Sequence, residues 1–265
     1  MTRKEFEEKS SDALSYLKQK KSSLLNGKSH VPDHQIFEPS IINFDLFIPQ
    51  RNTNPPEGQL LSEMSSRVIF QSISWATLIP VFRTMAYPSQ VDLLRSSWAN
   101  LFIIGLAQCK DKINLPNLME IITSNLQNCV SQGTVSLSKL RHLTNTLAKF
   151  KAIINKIEEM NLIKIEFAYL RLCSIFKVDQ PSQALKTLTS KISERVLSSF
   201  QASQKEKPER FSNLVNQLSS LKSLQANLLE ELFFSGLIGN VPINSVIPYI
   251  LSMQINKGNK GQDKQ

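Results

Sequence analysis

LLSEMSSRVIFQSISWATLIPVF, Leu60 to Phe82, and WANLFIIGLA, Trp98 to Ala107, decide the fold. Both read as helices, because apolar groups fall at three- and four-residue steps and no alternating run bounded by turns suggests a strand. Neither obeys the one-stripe rule of a surface helix. Leu60 to Phe82 carries apolar side chains on more than one face, and Leu101 to Ala107 is apolar all the way round. Helices of this kind must be covered on several sides, so both are expected in a middle layer. The helices that would cover them are visible further along. Leu137, Leu140, Leu143, Leu147, Phe150, Ile154 and Ile157 form one stripe. Leu185, Leu188, Ile192, Val196 and Phe200 form another, in a helix starting near Ser182 as N-cap. A further helix is expected from after Pro208 to Gly239, where Gly239-Asn240 and Pro242 supply a stop. Amphipathic helices outside and all-round apolar helices inside imply three stacked layers, not a four-helix bundle.

The 265 residues suit one core plus a tail. With 41% apolar and 20% charged residues, the composition is that of a folded globular chain. The net charge of +9 is spread along the sequence, with one small cluster at Lys18, Lys20 and Lys21, and reads as solvated helix faces instead of a phosphate-binding patch. Cys109, Cys129 and Cys173 are odd in number and lack CxxC spacing, which fits a reducing interior. The most apolar run is far shorter than the roughly 20 residues of a membrane span, so no membrane association is expected. Residues 1–56 read as a hinge-like segment: a charged helical stretch, Lys4 to Leu25, then Val31 to Pro56, whose Ile36, Phe37, Ile41, Ile42, Phe44 and Phe47 can dock on a core. The domain proper is expected over 57–253, with a disordered basic tail over 254–265.

Catalytic and metal-binding patterns are missing from the sequence. His30, His34 and His142 have no metal-ligand spacing, there is no GxSxG or GxGxxG, and Gly236 with Gly239 falls at a helix end. Adjacent Glu158 and Glu159 read as a solvated face. Neither an enzyme, a metal nor a cofactor is expected.

Trp75-Ala76-Thr77-Leu78-Ile79-Pro80-Val81-Phe82, followed by Ser89-Gln90-Val91-Asp92-Leu93-Leu94-Arg95-Ser96-Ser97-Trp98, resembles the signature of nuclear-receptor ligand-binding domains. That signature is aromatic-Ala-Lys-x-x-Pro-x-Phe, a short loop, then Asp-Gln-x-x-Leu-Leu-x-x-x-Trp. Gly105 to Cys109, Glu166 to Leu170, Glu230 to Asn240 and Asn244 to Leu251 look like the testicular orphan receptor subfamily. The resemblance covers residues 57–253. It implies an all-α, three-layer antiparallel helical sandwich acting in the nucleus as a transcriptional regulator. Such a domain dimerises and recruits corepressors or coactivators under control of a lipid-like apolar ligand. The alternative is a ligand-independent dimerisation or decoy protein without the DNA-binding module. No Cys-rich zinc module is present in the sequence, so direct DNA binding is not expected; a domain fragment and a protein naturally lacking that module both remain open.

The resemblance also implies sites. Ligand-pocket positions correspond to Leu61, Met64, Val68, Trp98, Phe102, Leu106, Cys109, Leu228 and Leu232, with Phe102 and Met64 bulky enough to fill the space. Cys109 stands where several receptors place an Arg, so an acidic ligand would lack its partner unless Lys110 or another cation reaches in. The groove that takes amphipathic LxxLL helices corresponds to Ile73, Thr77, Val91 and Arg95, closed by Ile247 and Ile250 of the final helix. The Lys and Glu that usually hold such a helix by its two poles are replaced by Thr77 and Tyr249, which predicts weak coactivator binding. Leu214, Leu218, Leu221 and Gln225 step along a candidate dimer face for a homodimer or a heterodimer with a related receptor; the same stripe also reads as ordinary core. Asn100 replaces a Glu that relatives use in an internal ion pair.

Overall fold

The structure, a computed structural model, describes residues 39–49, 56–177, 183–204, 208–234 and 241–262. Among these there is a short 3-10 turn, Pro39–Ile42, ten α-helices and no strand. The helices are α1 (Glu57–Ala76), α2 (Pro80–Arg83), α3 (Tyr87–Gln108), α4 (Leu115–Gln132), α5 (Leu137–Glu159), α6 (Lys164–Phe176), α7 (Gln183–Ser203), α8 (Pro208–Leu221), α9 (Ala226–Phe234) and α10 (Ile243–Gln262). The readings of Lys4 to Leu25, Ile36, Phe37, His30, His34, Ser182 and the stop at Gly239 fall outside the described residues.

α3 is the middle of the domain. Every residue from Leu101 to Ala107 is buried, as its all-round apolar pattern requires, and α1, α5, α6, α8 and α10 all pack on it. α1 is buried on more than one side by α3, α4, α9 and α10. It nevertheless keeps an edge in solvent, where Phe70 is 39% exposed. The second enclosed helix is α6, in which Glu166 to Phe176 is buried without a break between α3, α7 and α8. The antiparallel three-layer helical sandwich follows from these contacts.

Three expectations change in the details. The first turn of α5 stands clear of the core, with Leu137 79% exposed, and burial along its stripe begins at Leu143. The helix expected to run unbroken from Pro208 breaks between Leu221 and Ala226. There the backbone tightens into three-residue bonds, Ser223 N to Ser220 O and Leu224 N to Leu221 O, while the Ser223 hydroxyl donates to the Ser220 carbonyl. Serine competes with the helix in this way, and the break lets both Leu221 and Leu224 turn inward. Finally, α10 continues to Gln262, so the segment from 254 that reads as a disordered tail is helical to that point.

The segment before α1 docks by Ile41, Phe44 and Leu46, which are buried, whereas Phe47 is exposed. The Trp75 indole donates to the Ile41 carbonyl at 2.7 Å, and Arg171, fully buried in α6, lies over both the Phe44 and Trp75 rings. Gly105 makes the approach possible. A methyl group there would sit 2.7 Å from Val68 Cγ1 and 3.2 Å from the Phe44 ring.

Glu166, only 1% exposed, ties α6 to α8. Arg210 donates to its two oxygens at 2.5 and 2.7 Å, and the Ile163 N–H, at the start of α6, adds a third bond. Burial alone pushes the Glu166 carboxyl up, but these bonds and the Arg210 charge outweigh it and hold the group below the usual carboxylate range.

Three outcomes are expected from stability measurements. Gly105→Ala overpacks the α1–α3 contact and should cost about 1–3 kcal/mol in denaturant unfolding. A carboxyl held low when folded stabilises the fold above its unfolded pKa and loses that contribution as pH falls through the folded value. Glu166→Gln should therefore flatten the acid limb of the stability profile, while Arg210→Ala, which strands a buried carboxylate, should cost about 3 kcal/mol at neutral pH.

Candidate functional site

The last helix, α10, packs against both α1 and α3. Its inner side is formed by Ile243, Ile247, Ile250 and Leu251, each no more than 2% exposed, while Tyr249 is 73% exposed. Two side chains of α3 grip its backbone. Arg95 Nε donates to the Asn244 carbonyl at 3.0 Å, and the Tyr87 hydroxyl donates to the Pro248 carbonyl at 2.7 Å. The Asn244 carbonyl is free for Arg95 because its helical partner four residues on is Pro248, which has no N–H. At the entrance to α10, Glu230 Oε1 accepts the Ile243 N–H at 3.0 Å.

Of the expected groove positions, Arg95 takes part in this contact. Ile73 and Val91 are buried, Thr77 is half-buried with its hydroxyl on the Ser74 carbonyl, and Arg95 is exposed. The helices that carry them are the two on which α10 packs. The pairing of Arg95 and Tyr87 with α10 was missed from sequence, and the only signal available was the proline inside an otherwise helical run.

The expected ligand-pocket positions stand on α1, α3 and α9, with Cys109 just after α3. Leu61, Met64, Trp98, Cys109 and Leu232 are at most 5% exposed, Leu228 is half-buried, and Val68, Phe102 and Leu106 are 0% exposed, which leaves no room for a water molecule against them. Phe102 meets Phe233 edge-on at 5.1 Å and Phe234 at 5.2 Å, Phe233 meets Phe150 at 5.2 Å, and Trp98 closes the other side of Phe102 at 6.5 Å. Such aromatic contacts favour the filled interior beyond simple burial. Phe233 and Phe234, which were not singled out from sequence, do the filling together with Phe102.

Lys110, Lys112 and Arg171 are the cations close to Cys109. Lys110 pairs with Glu158 at 2.6 Å. Arg171 donates to the Gln108 side-chain oxygen; its Nε and Nη2 are buried without a partner, and burial pushes the guanidinium down to about 9, against the opposing influence of Cys109. It remains charged at neutral pH.

Leu214, Leu218 and Leu221 are at most 4% exposed within the chain, and Gln225 is exposed in the break after α8. The outward side of α8 carries Ser212, Asn213, Asn216 and Ser219. His142 is exposed on α5. No group of three or more His, Cys, Asp or Glu suited to a metal occurs among the described residues, and no described helix is long and apolar enough to cross a membrane.

Residues 59–238 match the family profile of the ligand-binding domain of nuclear hormone receptor. Among known proteins, the chain is 32% identical over 222 residues to nuclear receptor subfamily 2 group C member 1-A of Xenopus laevis, covering 82% of this chain and 35% of that one. It is 30% identical over 217 residues to nuclear receptor subfamily 2 group C member 2 of Homo sapiens, covering 80% and 36%. It is also 31% identical over 206 residues to orphan steroid hormone receptor 2 of Strongylocentrotus purpuratus, covering 76% and 35%. The chain therefore spans about a third of the length of these relatives.

If the interior is held by its aromatic cluster, Phe102→Ala should lower stability by about 3–5 kcal/mol in urea unfolding, because the ring is wholly enclosed. A loss under 1 kcal/mol would mean the space had been loosely filled.

Proposed function

Because this chain belongs to the nuclear hormone receptor family, carrying its ligand-binding domain, we propose that it regulates transcription in the nucleus and is kept from coactivators by its own last helix. The family places it among receptors and not enzymes. The observation that carries the reading is the Arg95 bond to Asn244. Arg95 stands at one of the positions that would meet an LxxLL helix, and here it holds a backbone carbonyl of α10. Ile247, Ile250 and Leu251 reproduce the one-four-five spacing of that motif and are buried on the same side. An incoming coactivator helix must first displace them.

Once α10 is displaced, the docking site is poor. A bound helix has a positive N-terminal and a negative C-terminal pole, and opposite charges placed there contribute about 0.3–1 kcal/mol each. Thr77 supplies none at one pole, and Tyr249, which belongs to α10, would supply none at the other even with α10 seated. Both features favour repression as the resting behaviour. The aromatic filling around Phe102 supports ligand-independent action at the interior positions, so that coregulator choice follows from α10 and not from a lipid in the centre. Pairing as a homodimer, or with a related receptor, would use the outward side of α8, since Leu214, Leu218 and Leu221 are already covered. DNA contact would come from a partner or from a further part of a longer protein.

Titration of a fluorescent LxxLL peptide against the whole chain tests the proposal. Weak binding with little salt dependence is expected. Tyr87→Phe combined with Ile250→Ala removes one hydrogen bond and one buried side chain from the α10 seat, and should tighten the peptide about tenfold or more. Unchanged affinity in that variant, or tight salt-sensitive binding by the unaltered chain, would refute it.

A further inference from the structure

From Leu137 to Ile157, α5 carries Lys139, Arg141, Lys149, Lys151 and Lys156 and no carboxylate. All five cations are exposed. Lys139 is answered by Glu231 at 2.6 Å, whereas the other four have no ion pair or side-chain hydrogen bond among the described residues. Nor do these charges serve the helix itself. The start of a helix is its positive pole and favours carboxylates, yet the first turn of α5 has none, and its Glu158 and Glu159 stand at the opposite end. Positive charge therefore accumulates along α5 and at its start, without a partner inside the domain.

The same face has the relief of a helix-docking surface. Arg141, Asn145, Ala148, Ala152 and Asn155 are exposed and step by four and three, the spacing by which one helix meets another. The alanines at its centre let a second backbone come close. His142, Lys149 and Lys156 flank this seam on one side, each about 10 Å along the axis from the next, and Lys151 stands on the other. At the start of α5, Leu137 is 79% exposed, and Val130, across the turn at the end of α4, is 56% exposed. No aromatic residue is exposed on α5 to stack a nucleic-acid base.

We propose that the outer face of α5 docks an acidic α-helix of a partner protein. Its small-residue side lies on Ala148 and Ala152, its carboxylates at seven-residue spacing pair with Lys149 and Lys156, and an apolar residue at its end covers Leu137. The surface is independent of the control proposed for α10.

The probe is a fluorescein-labelled peptide of three alanine-rich heptads, with glutamate on both sides of an alanine seam, one terminal leucine and no LxxLL motif. Its anisotropy is followed as the whole chain is added. Saturable binding that weakens with salt is expected. The same peptide with glutamine for glutamate, or with prolines in its middle heptad, should not bind. Lys149→Glu combined with Lys156→Glu should raise the dissociation constant about tenfold or more, with an unchanged urea midpoint. Lys186→Glu combined with Lys191→Glu makes the same change in net charge on the exposed side of α7 and should leave binding as it was. Equal binding of the proline peptide, equal weakening by both charge reversals, or tighter binding of a single-stranded RNA oligonucleotide at this face overturns the proposal.

Discussion

Everything in this domain is arranged around the close passage of α1 over α3 at Gly105. A helix that is apolar all the way round has no face to offer water, so α3 is stable only when neighbours cover it on every side. α1, α5, α6, α8 and α10 do so. The absence of a side chain at Gly105 lets Val68 and the Phe44 ring reach the helix backbone, which also anchors the segment before α1. With α3 enclosed, its two ends can serve different purposes. Its C-terminal half, with Phe102, forms the filled interior, and its N-terminal half presents Tyr87 and Arg95 to α10.

Two buried charges mark where this body resists simplification. Glu166 is fully answered by Arg210 and the Ile163 N–H, a bidentate pair that fixes α8 against α6. Arg171 is answered differently, by one hydrogen bond to Gln108 and by the faces of Phe44 and Trp75. Cation–π contact recovers part of the lost hydration and ties three distant stretches of chain to one guanidinium. A buried ionic group of this kind adds less to stability than apolar packing would, but it admits few alternative arrangements.

The last helix shows how one residue alters a docking surface. Pro248 withholds a donor from the Asn244 carbonyl, and a helix with an unused carbonyl is attractive to a cation on the neighbouring surface. Arg95 takes that role. The cost of proline within a helix is thus partly offset by contact with α3.

The layered helical architecture was legible because its causes are local: the stripe from Leu143 to Ile157, the two-sided burial of Leu61 to Ala76, and the unbroken apolar run from Leu101 to Ala107 each dictate a helix and the number of neighbours it needs. The family signature from Trp75 to Trp98 is likewise written in the chain. The enclosure of α6 was less legible, because Glu166 and Arg171 interrupt its apolar run and their burial depends on Arg210, Gln108, Phe44 and Trp75 from elsewhere. The break at Leu221 was hidden for another reason, since leucines continue in near-helical phase on both sides and only packing decides that Leu221 and Leu224 both turn inward. The candidate site could be expected from the sequence as a set of positions, Ile73, Val91, Arg95, Ile247 and Ile250 among them, but its contacts could not. The seating of α10 and the Phe102–Phe233 packing join residues far apart in sequence. Periodicity fixes which face of a helix is apolar; only the folded chain fixes what that face meets, because burial and hydrogen bonding are settled between elements and not within them.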